Sequence, residues 1–228
     1  MITSRDELLW FDHPAIKDSL VEEILNTLYM VFGSALLAVL LGLPLGLILV
    51  ATRKDGVRPN RIVNRIVGFI VNVGRSIPFI ILLILLLPVT AYVMRTTIEW
   101  KGMLFPLAVA ATPFFARLVE TNLLAVDPAK VEAAYMMGAS RTRIMADVML
   151  REALPGIIQS ITVLIVTLIG YSAMGGAVGG GGLGGLAYNY GYSRYYLDVL
   201  IITVVVIVII VQLVQMLGDM LSRYVDHR

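Results

Sequence analysis

The chain is organised by where its charges are missing. Uncharged stretches run through Ile24–Thr52, Ser76–Met94, Gly102–Ala116, Ala153–Ser193 and Val199–Gly218. A helix needs roughly 20 mainly apolar residues to cross the hydrocarbon core of a bilayer. Ile24–Thr52 and Val199–Gly218 meet that alone, and Ser76–Met94 is just long enough. Gly102–Ala116 spans only when extended through Arg117, and Ala153–Ser193 holds one helix plus a non-helical remainder. Composition agrees: 58% of the 228 residues are hydrophobic and 15% charged, against about 45–50% and about 25% in soluble domains. The expectation is an all-α, polytopic membrane bundle of about five spans in a single domain, 1–228, with approximate spans 20–52, 62–94, 102–123, 153–174 and 199–218.

The charges that remain set an orientation. Arg53, Lys54, Arg58, Arg61 and Arg65 separate the first two spans, Lys130, Arg141, Arg143 and Arg151 the third and fourth, and Arg223 and Arg228 follow the fifth. The opposite side carries Arg5, Lys17, Arg95, Lys101 and Arg194. The positive-inside rule puts the larger set in the cytoplasm, with the N-terminus outside and the C-terminus inside, as an odd number of spans requires. Arg5, Asp6, Glu7 and further charges precede the first apolar run. That run exceeds the ~7–15 residues of a cleavable signal core, so the first helix is expected to remain as an anchor. Zero cysteines remove disulfides and thiolate metal sites. The second span is long for one straight crossing, and Pro78 offers a bend near Ser76–Pro78.

The segment 124–152, between the third and fourth spans, is expected to carry the function. Asp127 is a good N-cap and Pro128 suits the first helical position. A short helix over Ala129–Met137 then ends near Gly138, a plausible left-handed C′ residue, and Ser140 caps the next helix, starting at Arg141. Within it, Glu132-Ala133-Ala134, three further residues and Gly138 resemble the EAA motif of ABC importer permeases. The family's later Ile-x-Leu-Pro falls on Val148-Met149-Leu150-Arg151, with arginine in the proline's place and Leu154-Pro155 one turn on. The resemblance implies a type I importer permease-like bundle and a coupling helix, seated in a groove on a separate ATPase, in which Pro128, Glu132, Ala133, Ala134, Tyr135, Gly138, Ala139 and Ser140 take part. Adjacent small residues let a backbone approach its partner closely; the competing reading is packing against the chain's own helices.

Arg75-Ser76-Ile77-Pro78-Phe79, the stretch Pro113-Phe114-Phe115-Ala116-Arg117-Leu118-Val119-Glu120, and Gly175–Gly185 followed by Tyr190-Gly191-Tyr192 are similar to methionine-importer permeases. This likeness implies a homodimer of permeases in membrane lipid, two ATP-binding subunits below, an extracytoplasmic substrate-binding protein above, and residence in the bacterial inner membrane. ATP and Mg would be bound by the partner ATPase. This chain lacks G-x-x-x-x-G-K-[ST], and no catalytic residue, cofactor, metal or nucleic acid is expected on it. A permease for another amino acid or small solute is the nearest alternative.

Gly175–Gly185 formally contains G-x-G-x-x-G, but it follows a span and lacks the βαβ context of a nucleotide site. It is expected to be a non-helical loop over 175–185 at the outer mouth, or else a simple external turn. Arg75 and Arg117 are costly inside spans and should face protein or water. Arg117 can pair with Glu120 at i,i+3 or snorkel, and Arg75 could instead reach Glu120. The fourth span is uncharged yet carries hydroxyls, and Tyr171, Ser172 and Met174 are its candidate pathway residues. An intramembrane enzyme is disfavoured: Gly170-Tyr171-Ser172 lacks the final glycine of a serine-protease motif, and His13 and His227 lie at opposite ends. A secondary transporter would need paired carboxylates or internal repeats, and neither is evident.

Overall fold

The structure is a computed structural model and describes residues 9–226; Arg5, Asp6, Glu7, His227 and Arg228, used above, lie outside them. Among the described residues every regular element is helical. The long helices are α1 (Pro14–Ala51), α2 (Arg61–Ser76), α3 (Phe79–Met94) and α4 (Glu99–Leu124). A short helix, α5 (Pro128–Met136), precedes one helical turn, α6 (Arg141–Arg143), a π-helical stretch at Ile144–Met149 and α7 (Leu150–Gly176). After α8 (Gly182–Leu186) and a second π turn at Ala187–Tyr192 comes α9 (Leu197–Val225). Four helices are long and apolar enough to cross a membrane by themselves, and the α2–α3 pair makes a fifth if counted as one broken span.

The α2–α3 break falls at Ile77–Pro78. Ile77 is extended (φ −86°, ψ 123°), because proline's ring disfavours the helical region for the residue before it. Helices also run past the apolar runs: α1 begins at Pro14 and α9 continues to Val225. Hydrophobicity marks the part of a helix that lipid can cover, whereas backbone hydrogen bonding carries the helix beyond it.

The chain forms two compact units. The first contains the residues up to Ser34, Phe79–Leu107 and Val166–Leu213. One buried cluster in it gathers Ala15, Ile16, Leu186, Val199 and Ile202, with Tyr190 and Tyr196 packed against them. Asp198, 3% exposed, holds the chain entering α1: its Oδ2 accepts from the Leu9 and Trp10 N–H groups, both at 3.1 Å. His13 lies edge-on to Tyr196, with ring centroids 4.6 Å apart.

The glycine-rich stretch departs from expectation. It is not one non-helical loop over 175–185: α7 reaches Gly176 and α8 starts at Gly182, so only 177–181 are irregular. The cause is burial, since all five residues of Gly182–Leu186 are buried and a buried backbone must pair its polar groups. The Leu183 N–H donates to Thr27 Oγ1 at 2.8 Å. Gly182 has φ +68° and a Cβ there would fall 2.7 Å from that same Thr27 Oγ1, so both conformation and space require glycine.

The second unit contains Ala35–Pro78, Ala108–Ile165 and the chain from Val214. Leu49, Val71 and Ala116 form one buried cluster in it, lined by Leu45 and Val67. Here α1 and α4 approach closely through Gly42 and Gly46: a Cβ on Gly42 would lie 2.9 Å from the Thr112 carbonyl oxygen, and one on Gly46 2.7 Å from Val119 Cβ. This small-x-x-x-small pattern draws helices together where lipid offers no hydrophobic drive. Polar ties join other helix pairs of this unit: Asn64 Nδ2 of α2 donates to the Leu49 carbonyl of α1 at 2.7 Å, Asn122 Nδ2 of α4 to Ser160 Oγ of α7 at 2.7 Å, and Ser222 Oγ of α9 to the Pro155 carbonyl of α7 at 3.1 Å.

Candidate functional site

α5 is nine residues long, too short to be stable by itself, so its ends are fixed by specific bonds. Asp127 caps the N-terminus, its Oδ1 accepting from the Ala129 N–H at 2.9 Å, and Pro128 occupies the first turn. At the other end the Gly138 N–H donates to the Tyr135 carbonyl at 3.0 Å and the Ala139 N–H to the Ala134 carbonyl at 3.1 Å. These two bonds form a Schellman motif, which requires a left-handed residue, and Gly138 has φ +79°. Ser140 Oγ then accepts from the Arg143 N–H at 3.4 Å and opens α6. Lys130 forms an ion pair with Glu152 of α7.

One side of α5 faces the protein and the other does not. Ala134 is 5% exposed, whereas Tyr135, Met136 and Met137 are 63%, 86% and 82% exposed. Pro128, Glu132, Ala133, Gly138 and Ser140 are exposed and Ala139 is half-buried. Met136 and Met137 extend the exposed surface beyond the residues singled out from the sequence. Their signal was available as two consecutive apolar residues beside a helix end, though nothing in the chain says which of them burial will take. A cavity of about 530 Å³ lies beside α5, between the loop after α1 (Asp55, Val57, Pro59) and Glu132, Tyr135 and Arg141.

The predicted interior charges are only partly brought together. Arg117 donates to Glu120 through one guanidinium nitrogen and to Asn72 Oδ1 of α2 through the other. Arg75 does not take the Glu120 partner considered for it; it is exposed, and Glu120 is already held by Arg117. Asn72 was missed. Its signal was a polar stripe at helical spacing, Arg61, Arg65, Asn72 and Ser76.

The residues considered for a pathway belong to the first unit. Tyr171 stacks on Phe79, with centroids 4.6 Å apart and planes 3° from parallel. Ser172 is buried and its Oγ donates to the Ile169 carbonyl at 2.8 Å, so that hydroxyl is committed to its own helix. Met174 is 51% exposed.

Long apolar helices, with one pair broken, and a short capped helix presenting bulky side chains together define an all-helical membrane protein with an exposed helical knuckle. The chain belongs to the family of binding-protein-dependent transport system inner membrane components, whose model matches residues 38–228. It is 46% identical over 211 residues to a probable D-methionine transport system permease of Vibrio cholerae, covering 92% of this chain and 94% of that one. It is 43% identical over 181 residues to a methionine import system permease of Bacillus subtilis, covering 79% and 82%. Among solved structures, an inward-facing conformation of the MetNI methionine ABC transporter superposes with a TM-score of 0.89 at 44% identity, covering 91% of this chain and 96% of that one. The chain is therefore a transport component of the inner membrane with a helical permease fold.

Proposed function

We propose that this chain is the permease subunit of an ATP-driven methionine importer, and that α5 is the helix through which a separate ATPase drives it. The observation that carries this reading is α5 itself. A short helix fixed at both ends by caps, tied to α7 through Lys130–Glu152 and exposing Tyr135, Met136 and Met137, is suited to seat in a partner and pass a displacement to the long helix beyond it. Methionine as cargo is supported by the names of relatives that match most of the chain.

In this reading α1, the broken α2–α3 pair, α4, α7 and α9 are the five crossings and 124–152 is the cytoplasmic coupling segment. The N-terminus is outside and the C-terminus inside. Two copies enclose the pathway, with Tyr171, Ser172 and Met174 toward it. Two ATPase subunits supply ATP and Mg chemistry from below, and a binding protein delivers substrate to the outer mouth near 177–181. Hydrolysis-linked motion of the ATPases switches the pathway between facing outward and inward. Arg117 and Glu120 act structurally.

The chain has no native cysteine, so single-cysteine variants report cleanly. Met136→Cys is expected to cross-link to the co-expressed ATPase, while Tyr195→Cys, which is also exposed, is not. Cross-linking from Tyr195→Cys alone would contradict the assignment of α5.

A further inference from the structure

Next to α5, the second unit carries a cationic surface that the coupling role does not use. Arg53, Lys54, Arg58, Arg61 and Arg65 fall within residues 53–65, where Asp55 is the only acid. All five are exposed, and the ion pairs Arg117–Glu120 and Lys130–Glu152 involve none of them. A cavity of about 570 Å³ opens among Thr52, Lys54, Pro59, Asn60, Arg61 and Asn64. Its floor is settled: Asn64 Nδ2 donates to the Leu49 carbonyl and to Thr52 Oγ1, and Asn60 Oδ1 accepts from the Ile62 and Val63 N–H groups. Among the described residues, Lys54 and Arg61, which both line this cavity, form no ion pair.

The neighbouring face of α2 is apolar and equally uncovered. Ile62, Ile66 and Phe69 are 72%, 55% and 68% exposed. Arg61 and Arg65 are four residues apart and so lie on one ridge, which Phe69 continues, with Ile62 and Ile66 on the ridge beside it. A cationic ridge beside an apolar one suits a ligand whose anionic head and hydrocarbon tail are joined. An acidic soluble partner would leave the apolar half unexplained, and hydrocarbon alone would leave the cations unexplained. Clustered basic residues at the cytoplasmic end of a span attract anionic headgroups, and an apolar face beside them buries in the acyl layer.

We propose that this surface is a binding site for an anionic phospholipid, its phosphate in the Lys54–Arg61 cavity, Arg65 flanking it, and its chains along Ile62, Ile66 and Phe69. The cytoplasmic leaflet as the lipid's source rests on the topology proposed above; the contact chemistry does not.

The test uses the purified full-length chain with its co-purifying subunits, titrated with short-chain phosphatidylglycerol and followed by native mass spectrometry. Lys54→Gln/Arg61→Gln is expected to bind roughly 25-fold more weakly, about fivefold for each cation removed. Lys54→Arg/Arg61→Lys, which keeps both charges, should bind within about twofold of the unaltered chain. Ile62→Ser/Phe69→Ser should lose affinity with the cations intact, and Arg223→Gln, at the end of α9, should change nothing. Three results would overturn the inference: unaltered binding by the Lys54→Gln/Arg61→Gln variant; displacement of the lipid by equimolar inorganic phosphate, which would leave a simple anion site; or loss of the ATPase or of a second permease copy from these variants with lipid binding intact, which would make the face a protein interface. Transport is not the readout, so a negative result leaves the importer reading to its own experiment.

Discussion

Arg117 serves two partners with one guanidinium, Glu120 on its own helix and Asn72 on α2. Glu120 is only 8% exposed, and a carboxylate so placed needs a cation because the charge has left water. This small network ties α2 to α4 within the second unit.

Arg117→Met should therefore destabilise the chain more than Arg117→Met/Glu120→Leu, which removes the stranded charge as well. The difference is expected to be about 1–3 kcal/mol, the usual cost of an unsatisfied buried group, and thermal unfolding in detergent measures it. Equal midpoints for the two variants would mean that Glu120 does not depend on Arg117.

At Gly138 the requirement is conformational and not steric. Its φ is +79°, yet nothing lies within 4 Å of where a Cβ would stand. Asparagine tolerates the left-handed region better than a β-branched residue does. Gly138→Asn should keep the ATPase bound through co-purification, whereas Gly138→Val should lose it. Equal retention would show that the C-terminal turn of α5 is immaterial.

Gly46 is limited by space. A side chain there would run into Val119 and the Ala116 carbonyl of α4, and overpacking of this kind typically costs about 1–3 kcal/mol. Gly46→Val is expected to lower the thermal midpoint, whereas Gly170→Ala, with open space around it, should leave it nearly unchanged.

Asp198 holds the segment before α1 through the Leu9 and Trp10 N–H groups. Asp198→Ala should free that segment to protease in right-side-out vesicles, at a stability cost of about 0.5–2 kcal/mol, as for a lost cap. Asp198→Asn, which keeps an acceptor oxygen, should remain protected.

Much of this fold was readable because solvent preference is written locally. Uncharged runs located the long helices, Asp127, Pro128 and Ser140 marked the ends of α5 and α6, and i,i+3 spacing offered the Arg117–Glu120 pair as one of the open readings. What escaped depended on contacts between distant segments. Asn72 became a partner only once α2 met α4. Asp198 is buried and pairs with residues near the other end of the chain, a placement that no local spacing signals. Gly182–Leu186 reads as loop by propensity and is helical because it is enclosed. The Phe79–Tyr171 stack likewise has no trace in local spacing. For the candidate site, the caps and the turn glycine were legible, while the exposed Met136 and Met137 required knowing which face of α5 packs.

The most direct test of the central claim is uptake of labelled L-methionine into proteoliposomes containing this chain, its ATPase and the binding protein, competed with D-methionine and with polar amino acids. The account predicts saturable, ATP-dependent uptake that unlabelled methionine suppresses, that polar amino acids leave intact, and that Gly138→Val abolishes. Saturable ATP-driven uptake of a different solute with none of methionine would contradict the cargo, and methionine uptake that proceeds without ATP would contradict the mechanism.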